Sequence, residues 1–140
     1  MTASGLGGMP ALMDQIQTTR ALGEHHVWQA VRMIEDLPGQ LQFRRQRRLR
    51  ELLEANALIE AIIDIGAHLQ PPRTPWSMAR SGDRWRCQIA WCDSRDLRRC
   101  LGRHDDLAAA MMIALLNSLG RRGQRARRPG AALKDKDKTA

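Results

Sequence analysis

Ten consecutive residues, Leu107 to Leu116, carry no polar side chain, and no other feature constrains the fold as much. The stretch is about half the ~20 residues needed to span a bilayer, so it reads as a helix that the protein itself must bury. Extended to Leu119, the helix is apolar on several sides and needs cover from more than one direction. Asp105-Asp106 just ahead of it can cap the helix and complement its positive end. Gly120 followed by Arg121-Arg122 supplies a stop.

Upstream, Leu12, Ile16, Val27, Val31 and Ile34 recur at helical spacing between Ala11 and Leu37, with Gly23 a point of division. Pro38-Gly39 ends that stretch. A second helix is predicted from Leu41 to Leu69, long for a globular protein. It begins with the arginine run of residues 44–50 and ends with a broad apolar surface through Leu58, Ile59, Ile62, Ile63, Ile65 and Leu69. Pro71, Pro72 and Pro75 then form a stiff connector. Trp76 to Arg80 and Arg84 to Trp91, joined by Ser81-Gly82-Asp83, read as a β-hairpin. Its second strand alternates Trp85, Cys87, Ile89 and Trp91 with Arg84, Arg86, Gln88 and Ala90, one apolar face and one wet face. A polar loop then leads to Asp105-Asp106.

At 140 residues, 43% hydrophobic and 27% charged, the chain fits one compact domain. The expectation is a flexible segment 1–10, an α+β domain over 11–120, and a basic disordered tail over 121–140. In it, long N-terminal helices and the C-terminal helix pack on a small antiparallel hairpin or sheet of two or three strands. The apolar surplus on Leu58–Leu69 and Leu107–Leu119 predicts a homodimer. Met1 to Pro10 lacks the basic start and continuous apolar core of a signal peptide. Three cysteines, an odd number, fit reduced thiols better than a disulfide framework. Both features point to the cytoplasm, with no membrane partner.

The formal net charge of +8 makes an anionic partner the first hypothesis. Two segments supply it. Residues 44–50 hold Arg44, Arg45, Arg47, Arg48 and Arg50 with no acid. Residues 121–140 hold Arg121, Arg122, Arg125, Arg127, Arg128 and three lysines against Asp135 and Asp137. The helical cluster spans more than one helix face, so its charges repel unless an anion lies alongside. These ten arginines are the candidate nucleic-acid contacts. The alternatives are a solvated helix end paired with Glu51 and Glu54, or an acidic protein gripped by an inhibitor or adaptor. Leu49, Asn56 and Ile63 with Leu52 and Ile59 imitate a short basic zipper with a buried Asn, although Gly66 takes the next seam position. The Pro-Gly turn between helices only weakly matches a helix-turn-helix.

Cys87, Cys92, Cys100 and His104 have the ligand count of a structural zinc site. Strand alternation sends Cys87 and Cys92 to opposite faces, however, and Cys87 belongs to the apolar row. No metal or cofactor is therefore assigned. Nothing joins His25, His26, His68 and His104 to a nucleophile or acid-base pair, so the expected role is regulatory binding without catalysis. Trp85 and Trp91 read as core beneath the Leu107 helix. Trp76 is less constrained; exposed beside Arg80, Arg84 and Arg86, it could stack on an unpaired base.

The segment Arg84 to Gly120, with its Trp-bearing strand and the run Asp106-Leu-Ala-Ala-Ala-Met-Met-Ile-Ala-Leu-Leu, resembles small accessory proteins of phages and prophages. That resemblance covers about a quarter of the chain and implies a helix packed on a short antiparallel sheet, in a family whose roles are mostly unassigned.

Overall fold

The structure, a computed structural model, describes residues 8–40, 42–43 and 46–120. Its elements run α1 (Met9–Thr18), α2 (Glu24–Glu35), α3 (Arg47–Glu54), α4 (Leu58–Ala67), β1 (Thr74–Ser81), β2 (Arg84–Asp93), β3 (Asp96–His104) and α5 (Leu107–Gly120). The strands form one antiparallel sheet in the order β1-β2-β3, and the fold is α+β.

Helix α5 is the centre of the protein. Every residue from Ala108 to Leu116 is buried. The helix packs on β2 and β3 and is also met by α1 and α4, which resolves the problem of an element apolar all round. Its small residues bring it unusually close to the sheet. A Cβ on Gly102 of β3 would collide with the Ala110 carbonyl oxygen and lie 2.6 Å from the Ala114 nitrogen.

Both ends of α5 are fixed by buried polar groups. At the N-terminus the Asp106 carboxylate accepts from the backbone N–H of Ala109 (3.1 Å) and from that of Leu22 (3.0 Å), between α1 and α2. His104 Nδ1 accepts the Asp106 N–H (2.9 Å), which leaves Nε2 to donate to the Ile16 carbonyl (3.0 Å). At the C-terminal end, buried Arg73 donates through Nε to Ser118 Oγ (3.1 Å) and through a terminal nitrogen to the Ser118 carbonyl (3.3 Å). Its guanidinium also donates to the Pro71 carbonyl (2.7 Å) and lies 4.7 Å from the centre of the Trp91 ring. A cation here opposes the negative end of the helix dipole. Burial pushes its pKa below the ordinary arginine value, while Cys100 and Asp93 oppose that shift.

The first stretch divides where Gly23 foretold, between α1 and α2. The buried His26 ring accepts the Gly23 N–H (3.0 Å); burial and neighbouring His25 hold its pKa below the usual histidine value. Helix α1 begins at Met9, which is buried, so the helix takes in two residues assigned above to a flexible segment.

The long helix expected over Leu41–Leu69 is instead two helices, α3 and α4. Asn56 has φ +59° and closes α3 with a Schellman pair: Asn56 N–H to the Leu53 carbonyl (3.0 Å) and Ala57 N–H to the Leu52 carbonyl (2.8 Å). Asn is among the few non-glycine residues that tolerate this conformation. Exposed Asn56 is thus a helix stop, and the zipper reading fails on it. Gly66 is likewise no seam residue. The chain at Arg73 doubles back onto it, with Arg73 N–H donating to the Gly66 carbonyl (2.7 Å), and a Cβ there would stand 2.8 Å from the Arg73 carbonyl oxygen.

The hairpin forms with Ser81 paired to Arg84 and Gly82 at φ +65°. The apolar and wet rows of β2 fall as predicted, except that Ala90 on the wet side is only 4% exposed. The segment read as a polar loop is a third strand, paired from Asp93–Asp96 to Trp85–His104.

The Leu58–Leu69 surface is largely consumed inside the chain. Ala61, Ile62, Ile65 and Leu69 are buried, and Ile63 is 38% exposed. The apolar surplus that motivated a second copy is therefore mostly covered by the protein's own elements.

The Gly102 approach gives a direct test. Gly102→Ala should destabilise the protein at the upper end of the roughly 1–3 kcal/mol typical of overpacking, measured by urea denaturation. A loss below about 0.5 kcal/mol, the range of ordinary surface changes, would contradict the contact.

Candidate nucleic-acid interface

The sheet has one face on α5, and the register defines the residues on the other. On that outer face β2 presents Arg84, Arg86, Gln88, Ala90 and Cys92; β3 presents Leu97, Arg99, Leu101 and Arg103 opposite them. From β1, whose register shifts between Pro75 and Ser77, Trp76 is 52% exposed, and the Arg99 guanidinium lies 5.4 Å from the centre of its ring. Arg80 is directed elsewhere, 5.4 Å from the Trp85 ring. The cation at the Trp76 ring is thus Arg99, where the sequence suggested Arg80, Arg84 and Arg86.

The arginines of the sheet are unequal. Arg98, on the opposite face, is held by Asp93 (3.1 Å) and Asp96 (3.8 Å), and Arg84 pairs with Asp105 (3.4 Å). Arg86, Arg99 and Arg103 form no ion pair among the described residues. Arg86 and Arg103 stand directly opposite each other across the ladder, a placement that destabilises a sheet when both charges are alike. With Ser81, Asp83 and Arg84 they line an open recess of about 430 Å³. At the other end of the face, Trp76, Ala90, Leu97, Pro71 and Pro72 help to line a mainly apolar recess of about 420 Å³.

Of the arginines singled out in the sequence, Arg44, Arg45, Arg121, Arg122, Arg125, Arg127 and Arg128 lie outside the described residues. Arg47, Arg48 and Arg50 are exposed on α3. Arg47 meets Glu51 at 3.9 Å, and Arg48 meets the largely buried carboxylate of Asp64 at 3.6 Å. These two therefore resemble a paired helix end more than an open anion site. The sequence reading missed Arg99 and Arg103 because it missed β3.

The zinc ligand set is not assembled. Cys92 is exposed on the outer face, Cys87 and Cys100 are buried on the inner face, and both His104 ring nitrogens are engaged. Burial raises the Cys87 thiol to about 11, the opposite of what a metal thiolate or nucleophile requires. Among the described residues no three His, Cys, Asp or Glu side chains are grouped to hold a metal, and no helix is long and apolar enough to cross a membrane.

No family model, curated protein or solved structure matches the chain. None of these comparisons bears on the expected resemblance of residues 84–120 to phage accessory proteins.

Two outcomes check this geometry. Arg103→Gln should raise the urea midpoint at low ionic strength, and the gain should shrink as salt screens the opposed charges. An unchanged or lower midpoint would place the two guanidinium groups apart. In the native protein at pH 8, a disulfide thiol reagent should modify Cys92 rapidly. Cys87, still protonated below its raised pKa, and buried Cys100 should react only after unfolding.

Proposed function

We propose that the protein is a non-enzymatic, nucleic-acid-binding accessory or regulatory protein that docks through the outer face of its sheet. The observation that carries this reading is the Arg86–Arg103 opposition, with Arg99 further along the same face of β3: charges that repel one another in the free protein gain stability when phosphate lies between them. Arginine suits this role through its bidentate geometry. The charge of residues 44–50 and 121–140 adds attraction that carries no sequence information. Binding rather than catalysis is supported by the structural commitment of His104 and the unreactive environment of Cys87. Buried thiols at Cys87 and Cys100 fit a reducing compartment, which supports a cytoplasmic location.

Fluorescence anisotropy with labelled nucleic acid over a salt series tests the proposal. Replacing Arg86, Arg99 and Arg103 by Ala should weaken binding to all sequences. It should also flatten the dependence of log affinity on log salt by about 0.7–0.9 for each phosphate that is no longer neutralised, without lowering the thermal midpoint. Wild-type binding by this variant, with weakened binding by Arg47→Ala/Arg48→Ala, would move the site to the helix end. Failure of the wild-type protein to bind nucleic acid at physiological salt would leave the acidic protein partner as the better reading.

A further inference from the structure

The outer face carries more than charge, and the rest of it points to which form of nucleic acid it receives. Trp76 is a large apolar ring left half open to water on an edge strand, in a chain with no Tyr and one Phe. Its side chain is not spent on the core, and Arg99 beside it adds a cation–π partner to an aromatic platform of the kind on which unpaired bases stack. The recess of about 420 Å³ next to it, walled by Pro71, Pro72, Ala90 and Leu97, is within the roughly 300–1,000 Å³ of small-ligand sites. It offers flat apolar walls and no cluster of hydrogen-bonding groups. Along β2 the distance from Ala90 beside this recess to Arg86 is about 13 Å at ~3.3 Å per residue, so aromatic and basic sites lie on one short track.

We propose that this track binds single-stranded nucleic acid: one unpaired base stacks on Trp76 and enters the Pro71–Pro72–Leu97 recess, while the phosphates alongside it meet Arg99 and the Arg86–Arg103 pair. This deepens the proposed function and rests on it. A duplex can offer phosphates to the arginines, but its bases are stacked on each other and cannot reach a ring lying on a sheet face. An unpaired strand satisfies both ends of the track at once. The carboxylates nearby do not oppose it at the aromatic end: Asp93 and Asp96 are occupied with Arg98, and Asp83 lies in the basic recess beside Arg84. Stacking and phosphate contact do not read the 2′-hydroxyl, so the site takes DNA and RNA strands of one sequence with similar affinity.

The test uses the full chain and three probes: a short oligothymidylate, an abasic oligonucleotide of equal length and charge, and a duplex of equal length. Oligothymidylate should bind more tightly than either of the others. Trp76→Ala should weaken its binding about tenfold, in line with the removal of one stacked base, and leave the abasic probe unaffected. Trp76→Phe should recover most of that affinity. An unchanged thermal midpoint in both variants, expected for a half-exposed side chain, establishes that folding is intact. Equal binding of oligothymidylate and abasic probe, with no effect of Trp76→Ala, would overturn the base-stacking site while leaving phosphate docking on the arginines in place. Tighter binding of duplex than of oligothymidylate would overturn it as well. Failure to bind any of the three probes at physiological salt would overturn the proposed function itself.

Discussion

The close approach of α5 to β3 at Gly102 is the constraint on which the architecture depends. A helix that is apolar around its whole circumference cannot be satisfied by a small sheet alone. It must lie near enough to the sheet for α1 and α4 to meet its remaining sides. Glycine on the strand and alanine at Ala110 and Ala114 on the helix set that spacing. Larger side chains would lift α5 away from β2 and β3 and displace every helix that packs behind it, since close-packed interiors transmit changes of volume. The alanines of α5 are thus spacing devices as well as helix formers.

Two classes of arginine follow from this arrangement. Arg73 is buried, with its donors distributed over the Ser118 hydroxyl, the Ser118 carbonyl and the Pro71 carbonyl, and an aromatic ring beside it. It joins the C-terminal end of α5 to the segment between α4 and β1. The arginines of the outer sheet face have no comparable set of partners, although the same guanidinium chemistry is available to them. Because α5 covers only the inner face, the outer face is left to solvent, and the sheet becomes a platform on which charge and one aromatic ring are displayed.

Much of this was legible in the sequence. The apolar run marked α5, Asp106 marked its cap, Gly23 marked the break between α1 and α2, and alternation in β2 sorted buried from exposed side chains. What was not legible has identifiable causes. Strand β3 escaped notice because its inward row is Arg98, Cys100, Gly102 and His104, a sequence without hydrophobic alternation. Glycine stands there for the sake of the helix, and histidine for the sake of a carbonyl on α1. The break at Asn56 was hidden because apolar spacing runs through it uninterrupted, and an Asn at a heptad position suggested pairing when its actual contribution is a left-handed backbone. The candidate site was half visible: Trp76 and Arg86 could be named from the sequence, whereas Arg99 and Arg103 required the missing strand.

The hydrogen bonds that anchor the first two helices have a bearing on how the chain acquires its shape during synthesis. His104 meets Ile16 across 88 residues, and Asp106 meets Leu22 across 84. Helices α1 and α2 therefore leave the ribosome well before the groups that dock them exist. Short helices of this kind are marginal in isolation, and contacts so distant in sequence carry a large loop-closure cost and slow folding. The faces of α1 and α4 that meet α5 stay uncovered until that last helix has emerged. A nascent chain stalled before residue 107 would lack the element that covers those faces, and would be a natural client for chaperones that shield exposed apolar surface.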